Sequence, residues 1–301
     1  MVVTSAVRSF LFFVFYNAVL TTAFHWDYKH EEEWPDQCKN GKQQSPINLS
    51  RQTATEAIFP SFIFEYYDEI YRAEIKNNGH TAQIQLKVGV KPKVSGGGLL
   101  STYVLDNIHF HWNSEHTIDE ERFPLELHLV HYDSTKKSLA EALKVKGGVT
   151  VLAVLFYLSP DSDSEFDSLF DTLEQLNKVK INEVKPIERL DLGDFLPRDR
   201  AGFYRYEGSL TTPNCTEGVI WTVFTNGLPI STRQVKIFSN LKTESGGNMI
   251  TNYRTIQELN DRKVQVKISP IEFSSASRNV AFPIVLPLYI GFSILGFGNK
   301  L

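Results

Sequence analysis

Five of the eight histidines in this chain fall between His109 and His131, and two of them form a His-x-His pair, His109-Phe110-His111. Side chains alternate across a β-strand, so in a strand over 104–112 His109 and His111 share a face with Asn107, while Ile108 and Phe110 point the other way. A charged loop over 113–122 leads to a second alternating run, Leu125-Glu126-Leu127-His128-Leu129-Val130-His131. Consecutive strands joined this way usually pair antiparallel, which lets His128 stand opposite the pair with Glu126 and Val130 on the same face. Three neutral imidazoles can hold zinc at ~2.0–2.1 Å and leave its fourth tetrahedral position to water. With no anionic protein ligand the ion keeps its full charge and acidifies that water into a nucleophile. Spacing alone leaves ordinary strand histidines as open as this metal site. A closed structural zinc site is disfavoured, because such sites usually take four protein ligands, often cysteine, and Cys38 and Cys215 lie far from the histidines in sequence.

The elements that must position these residues read as strands. Short alternating runs cover 81–88, 105–112, 124–131, 149–158, 219–224 and 264–268. Turn clusters such as Asn77-Asn78-Gly79, Ser95-Gly96-Gly97-Gly98 and Asn226-Gly227-Leu228-Pro229 separate such runs. The clearest helical period is 164–178, where Phe166, Leu169, Phe170, Leu173 and Leu176 recur at three and four behind a capping Ser164. No repeat or linker divides residues 24–273, which predicts one domain, mainly β with short peripheral helices.

A formal net charge of −4 over 301 residues, with no run of Lys or Arg, excludes nucleic acid as the partner. The 21 Phe and 12 Tyr exclude a disordered chain. Residues 1–23 carry Arg8, an apolar run over 10–16 and the small-residue spacing of Thr21 and Ala23, which predicts a secretory signal peptide with Phe24 opening the mature chain. At the other end, residues 282–297 are nearly all apolar behind Ser274-Ser275-Ala276-Ser277. Small residues before a greasy tail are the pattern of a signal exchanged for a glycosylphosphatidylinositol anchor, so 274–301 reads as a membrane-anchoring segment, although its polar spacer is shorter than the usual ~8–12 residues. The alternative is a C-terminal membrane helix, which Pro283 and Pro287 would disturb and which has only Lys300 as a basic stop. Either way the chain is expected to be tethered to a membrane through its C-terminus, facing the lumen or exterior. After a secretory signal, two cysteines read most simply as one disulfide. Asn48-Leu49-Ser50 and Asn214-Cys215-Thr216 are glycosylation sequons, the second sharing its middle residue with that bridge.

Several ordered blocks together resemble the alpha-carbonic anhydrases. They are Gln44-Ser45-Pro46-Ile47, Asn77-Asn78-Gly79-His80, His109-Phe110-His111-Trp112, Ser114-Glu115-His116-Thr117, Glu126-Leu127-His128-Leu129-Val130-His131 and Gly208-Ser209-Leu210-Thr211-Thr212-Pro213. They stand in that family's order and span nearly all of 26–268. The resemblance implies the alpha-carbonic anhydrase fold, a single domain around a large twisted, mostly antiparallel central sheet, in the extracellular membrane-anchored branch. It also implies reversible hydration of carbon dioxide to bicarbonate and a proton by attack of zinc-bound hydroxide. Three-histidine zinc in this family is the standard example of that chemistry, so a water pKa of about 7 is taken over from it rather than derived from these residues.

The same resemblance assigns roles to residues. His109, His111 and His128 correspond to the zinc ligands, and Asn107 and Glu126 to the side chains that orient their imidazoles. Asn107 stands where glutamine is more usual, and its shorter reach is expected to weaken the bond to His109. Losses of that kind cost ~10–100-fold in metal affinity or activity. Thr211 corresponds to a gatekeeper whose hydroxyl accepts from zinc-bound hydroxide and donates to the Glu115 carboxylate, an orientation effect. Thr212 lines the bicarbonate side, and Val130, Val151, Leu210, Val219 and Trp221 match the apolar wall for carbon dioxide. His80 matches the proton shuttle, a group titrating near neutrality that relays the released proton, so a fast enzyme is expected. Tyr28, Asn78 and Gln83 match the polar side that holds relay waters. His116 and His131 match structural positions, His131 pointing away from the metal face. His25 and His30 have no assigned role. Cys38 and Cys215 match the extracellular branch's disulfide. Asn252-Tyr253-Arg254 replaces an Asn-Trp-Arg pattern without its following proline, a change expected to touch a structural region and not the zinc site. A carbonic anhydrase-like binding module, the competing class, has lost zinc histidines; here the whole set is present.

Overall fold

The computed structural model describes residues 25–160, 166–178 and 180–270. The expected signal segment, the C-terminal anchoring segment and the capping Ser164 lie outside them. Every alternating run named above falls on a strand. The main sheet runs in the order Val184–Asp191, Ile70–Asn77, Ala82–Leu86, Tyr103–His111, Leu125–Asp133, Val149–Leu158, Glu217–Phe224, Phe203–Ser209, Gln265–Lys267, Thr55–Glu56. Phe62–Glu65, Lys93–Gly96 and Leu228–Ile230 join off this path, giving 13 strands among the described residues. Neighbours pair antiparallel except Val149–Leu158 with Glu217–Phe224 and with Leu228–Ile230, and Gln265–Lys267 with Thr55–Glu56. The expected mostly antiparallel central sheet is the one formed.

Alternation along the two central strands separates a packing face from a chemical face. Leu125, Leu127 and Leu129 enter one apolar core with Ile108, Phe110, Leu152 and Val154. Val130 enters a second core on the opposite face, with Val151, Ala153, Val219 and Trp221. Both faces are covered, so Leu125 through Tyr132 are all buried. The predicted helix forms over Asp167–Leu176 and lays Leu169, Phe170, Leu173 and Leu176, with Phe166 just before it, on the first core. A second helix, Thr232–Ser239, is closed by a capping box of Ser231 and Gln234 and adds Ile237 and Phe238 to that core. Truncating a buried leucine such as Leu127 or Leu173 to alanine would cost ~2–5 kcal/mol, because this layer braces the site strands from behind.

Cys38 and Cys215 form the expected disulfide across 177 residues. In the chain-entropy account closing so long a loop stabilises by up to ~4–5 kcal/mol. Close backbone approach also matters at Gly208, where a β-carbon would come within 2.1 Å of Ser45 Oγ. That bare backbone lets the Ser45 hydroxyl accept the Ser209 amide at 3.0 Å. Asn48 Oδ1 accepts from the Thr117 hydroxyl at 2.7 Å, while Asn214 is exposed.

Candidate metal centre

The register of the central pair decides which side chains meet. His109 stands opposite His128, His111 opposite Glu126, and Asn107 opposite Val130. A slip of one residue would send all of them to the other face. One ring nitrogen each from His109, His111 and His128 lies within 4.8 Å of the others. Ring centroids are 5.2 Å (His109–His111), 5.1 Å (His109–His128) and 4.6 Å (His111–His128) apart.

Hydrogen-bond partners fix where the protons sit. His111 Nδ1 faces the Asn252 carbonyl at 2.7 Å, and a carbonyl only accepts, so Nδ1 carries the hydrogen. Asn107 Nδ2 donates to Asp106 Oδ2 at 2.9 Å, which turns Asn107 Oδ1 toward His109 Nδ1, also at 2.9 Å. His128 Nε2 donates to Glu126 Oε1 at 2.7 Å. Each imidazole is therefore held by its outer N–H and directs a lone pair inward, from His109 Nε2, His111 Nε2 and His128 Nδ1. The expected weakness of the Asn107 bond does not appear: the carboxylate of Asp106 steers the short side chain to an ordinary hydrogen-bond length.

These atoms form a donor set suited to zinc. His109 Nε2 and His128 Nδ1 face each other as lone pairs at 3.3 Å. Among the described residues His111 Nε2 has no hydrogen-bond partner, and it lies 3.5 Å from Glu115 Oε2, itself without one. Buried acceptors aimed at one another are costly unless a cation stands among them, and three neutral nitrogens are what zinc takes in an open site. The residues fit the ion. Burial, reinforced by neighbouring imidazoles, pulls His109 well below the ordinary histidine range, and burial also lowers His111, with Glu115 partly opposing; both shifts favour the neutral ring. Burial would raise the Glu126 carboxyl, but His116 and His128 on either side outweigh it and hold it well below the usual carboxylate range.

Glu126 is shared. Its Oε1 also accepts from His116 Nδ1 at 2.6 Å and its Oε2 from the His116 amide at 2.8 Å, while His116 Nε2 reaches the Tyr206 hydroxyl at 2.7 Å. His131 lies on the opposite face, between the Tyr67 hydroxyl and the Leu129 carbonyl, and burial pulls it down to about 3. Both behave as the structural histidines the sequence predicts.

Val130, Val151 and Trp221 form one row across three strands, and the Trp221 ring lies 4.9 Å from that of His128. Val219 is fully buried in the same core, with Leu210 packed against it. Thr211 is buried and Thr212 partly so. The expected bond from the Thr211 hydroxyl to Glu115 is not formed: Glu115 Oε1 accepts the Arg254 amide at 3.0 Å, and Oε2 turns toward His111.

Gln83 stands opposite His109, and Asn78 Nδ2 donates to Gln83 Oε1 at 3.4 Å. Asn78 Oδ1 accepts the His80 amide at 3.0 Å, which ties the turn to this polar edge. Tyr28 is edge-on to His111 with centroids 6.5 Å apart, and burial raises its phenol well above the ordinary value. The His80 ring stacks on Trp26 at 3.8 Å and lines a cavity of about 280 Å³ with His25 and Glu244. Burial lowers His80 below the ordinary histidine value, with Glu244 partly opposing.

A further expectation needs correcting. The Asn252-Tyr253-Arg254 stretch is not separate from the metal centre: the Asn252 carbonyl holds His111, and the Arg254 amide holds Glu115. Asn252 also accepts the Trp112 amide at 2.7 Å and donates to the Phe110 carbonyl at 2.9 Å. Contacts made through backbone atoms carry no residue-type signal, so the sequence does not show them.

The family model of eukaryotic-type carbonic anhydrases matches residues 24–268. Carbonic anhydrase 4 of Mus musculus is 35% identical over 245 residues, 77% of this chain and 77% of that protein. Carbonic anhydrase 4 of Rattus norvegicus is 32% identical over 272 residues, 83% and 86% of the two chains. Carbonic anhydrase 6 of Homo sapiens is 32% identical over 270 residues, 84% and 86%.

Proposed function

The chain belongs to the eukaryotic-type carbonic anhydrase family and interconverts carbon dioxide and bicarbonate; from that premise we propose that it does so with zinc held by His109, His111 and His128, and with His80 relaying the proton. The observation that carries this reading is the orientation of the three imidazoles, each fastened by its outer N–H with its lone pair aimed inward. Bound zinc supplies a Lewis acid that lowers the pKa of a water it holds, making a nucleophile available near neutral pH.

The remaining work falls to side chains. Asn107, the Asn252 carbonyl and Glu126 set tautomer and ring direction before the metal arrives, so little reorganisation is needed on binding. Val130, Val151, Leu210, Val219 and Trp221 offer an apolar wall that suits an uncharged substrate and excludes competing water. Thr211 orients the attacking oxygen, with Glu115 as its partner once that carboxylate turns from His111, and Thr212 takes the bicarbonate side. Hydration releases one proton. His80 accepts it on a ring nitrogen through waters held along Tyr28, Asn78 and Gln83, then yields it to buffer.

The same reading places the protein outside the cell. The Cys38–Cys215 bridge fits an oxidising compartment, and the tail pattern fits a lipid anchor. Release from cells by a phosphatidylinositol-specific phospholipase is expected for an anchor and would not occur with a membrane helix.

The test of the catalytic reading assays zinc content and carbon dioxide hydration together. Hydration is expected to fall in proportion as a chelator removes zinc, and to return when zinc is restored. Full activity in stripped protein would overturn it.

A further inference from the structure

A second cavity, of about 760 Å³, is lined by none of the histidines. Four cationic side chains face it, Lys42, Arg205, Arg262 and Lys263, against two acids, Glu207 and Asp261. Glu207 is already engaged by Lys146 Nζ at 2.7 Å, so positive charge is in excess.

Arg205 is the unusual member. It is only 6% exposed, and buried guanidinium groups are normally paired with a carboxylate. Among the described residues its hydrogen-bond acceptors are all neutral. Nη2 donates to the Gly97 carbonyl at 2.9 Å and to Thr222 Oγ1 at 3.0 Å, and Nε donates to Thr222 Oγ1 at 3.2 Å. The rings of Phe59 and Phe203 lie 5.3 Å away. Burial pulls its pKa down to about 10, which still leaves it charged at neutral pH. Arg262 donates, among the described residues, to the carbonyls of Leu259, Glu207 and Glu258. Arg205 is thus held by dipoles rather than by a counter-charge, while Arg262, hydrogen-bonded to carbonyls, feels the Glu217 carboxylate; at the wall of one cavity the two leave a buried positive charge that an anion can answer.

Phe59, Ile220, Leu100 and Tyr206 give the wall an apolar part, beside the neutral polar Gln43, Thr55, Asn260 and Gln265. The volume lies in the range of pockets that hold small organic molecules, about 300–1,000 Å³, and far exceeds what bicarbonate needs. We propose that this cavity binds a small organic anion, its carboxylate or sulfonate taken by Arg205 with Arg262 and Lys263 nearby, and its apolar ring or chain resting on Phe59 and Ile220. Planar oxyanions match the fork of a guanidinium, and charge-assisted bonds of this kind are the strong ones. Tyr206 stands between the site and the metal centre: it lines the cavity, while its hydroxyl serves His116.

The experiment titrates the purified protein with 8-anilinonaphthalene-1-sulfonate and follows fluorescence. A saturable rise is expected. Leu100 is 79% exposed, so Leu100→Glu places a carboxylate at the wall without disturbing folding or hydration activity, and it should weaken binding by about tenfold or more, as should Arg205→Gln. N-phenyl-1-naphthylamine, which carries the same rings without the sulfonate, should bind at least about tenfold more weakly. If Arg205→Gln fails to fold, Leu100→Glu and the uncharged probe decide alone. No saturable rise, binding unchanged in Leu100→Glu, or equal binding of the uncharged probe would each overturn the proposal.

Discussion

His116 and His131 are as deeply buried as His111 and His128, and all four lie within a stretch from strand to strand, yet the two pairs end differently. Both ring nitrogens of His131 meet protein, the Tyr67 hydroxyl and the Leu129 carbonyl. Both nitrogens of His116 do as well, through Glu126 and Tyr206. In His111 and His128, as in the more exposed His109, one nitrogen is satisfied and the other points into a shared space. Burial and residue type are therefore poor guides to a metal site. What separates the two sets is the destination of the second nitrogen, and that depends on strand register: His128 and His131 are three residues apart and project to opposite faces.

The comparison breaks most sharply at His128→Ala, which should reduce hydration to the uncatalysed background and abolish bound zinc; a variant that kept both would erase the distinction. Glu126→Gln comes next. It retains shape but removes the anion that His128 Nε2 donates to, and zinc affinity measured by competition with a chelator should fall by ~10–100-fold.

His80→Ala should lower turnover by on the order of tenfold or more in dilute buffer, with kcat/KM unchanged and turnover restored by imidazole. Burial lowers the His80 proton affinity, so its neutral, accepting form persists to more acidic pH. The His80-dependent part of hydration turnover should therefore titrate with a midpoint below the ordinary 6.5.

The smallest effect on catalysis belongs to His131→Phe. Zinc and hydration should be retained while stability at pH 7, from urea unfolding, drops by ~1–3 kcal/mol, because the Tyr67 hydroxyl and Leu129 carbonyl lose their partner. His131 also carries a pH signature. Its value is about 3 when folded against an ordinary 6.5, so below 6.5 the unfolded chain binds the extra proton. The stability of the native chain should fall as pH drops from 6.5 toward 3, this residue contributing a slope of up to ~1.4 kcal/mol per pH unit. In His131→Phe that part of the slope should vanish.

Much of this is legible in the sequence. Alternation in 105–112 and 125–131 places His109, His111 and His128 on one face, and leucines at 125, 127 and 129 mark the other as core. The helix over 167–176 is announced by Leu169, Phe170, Leu173 and Leu176 at helical spacing behind Phe166. Three features were not readable. The Asn252 carbonyl reaches His111 across 141 residues of chain, and a backbone atom looks the same in any sequence. Asp106 corrects the reach of Asn107, but an acid beside an amide on a strand has no fixed meaning until their rotamers are known. Trp26, stacked on His80, depends on how the N-terminal segment folds back over the turn at Asn78.

X-ray absorption at the zinc edge of the purified protein tests the central claim most directly. Three imidazole nitrogens and one non-protein oxygen, all at ~2.0–2.1 Å, are expected for a four-coordinate open site. A fourth protein ligand closing the coordination sphere, or a zinc signal that persists unchanged in His128→Ala, would contradict it.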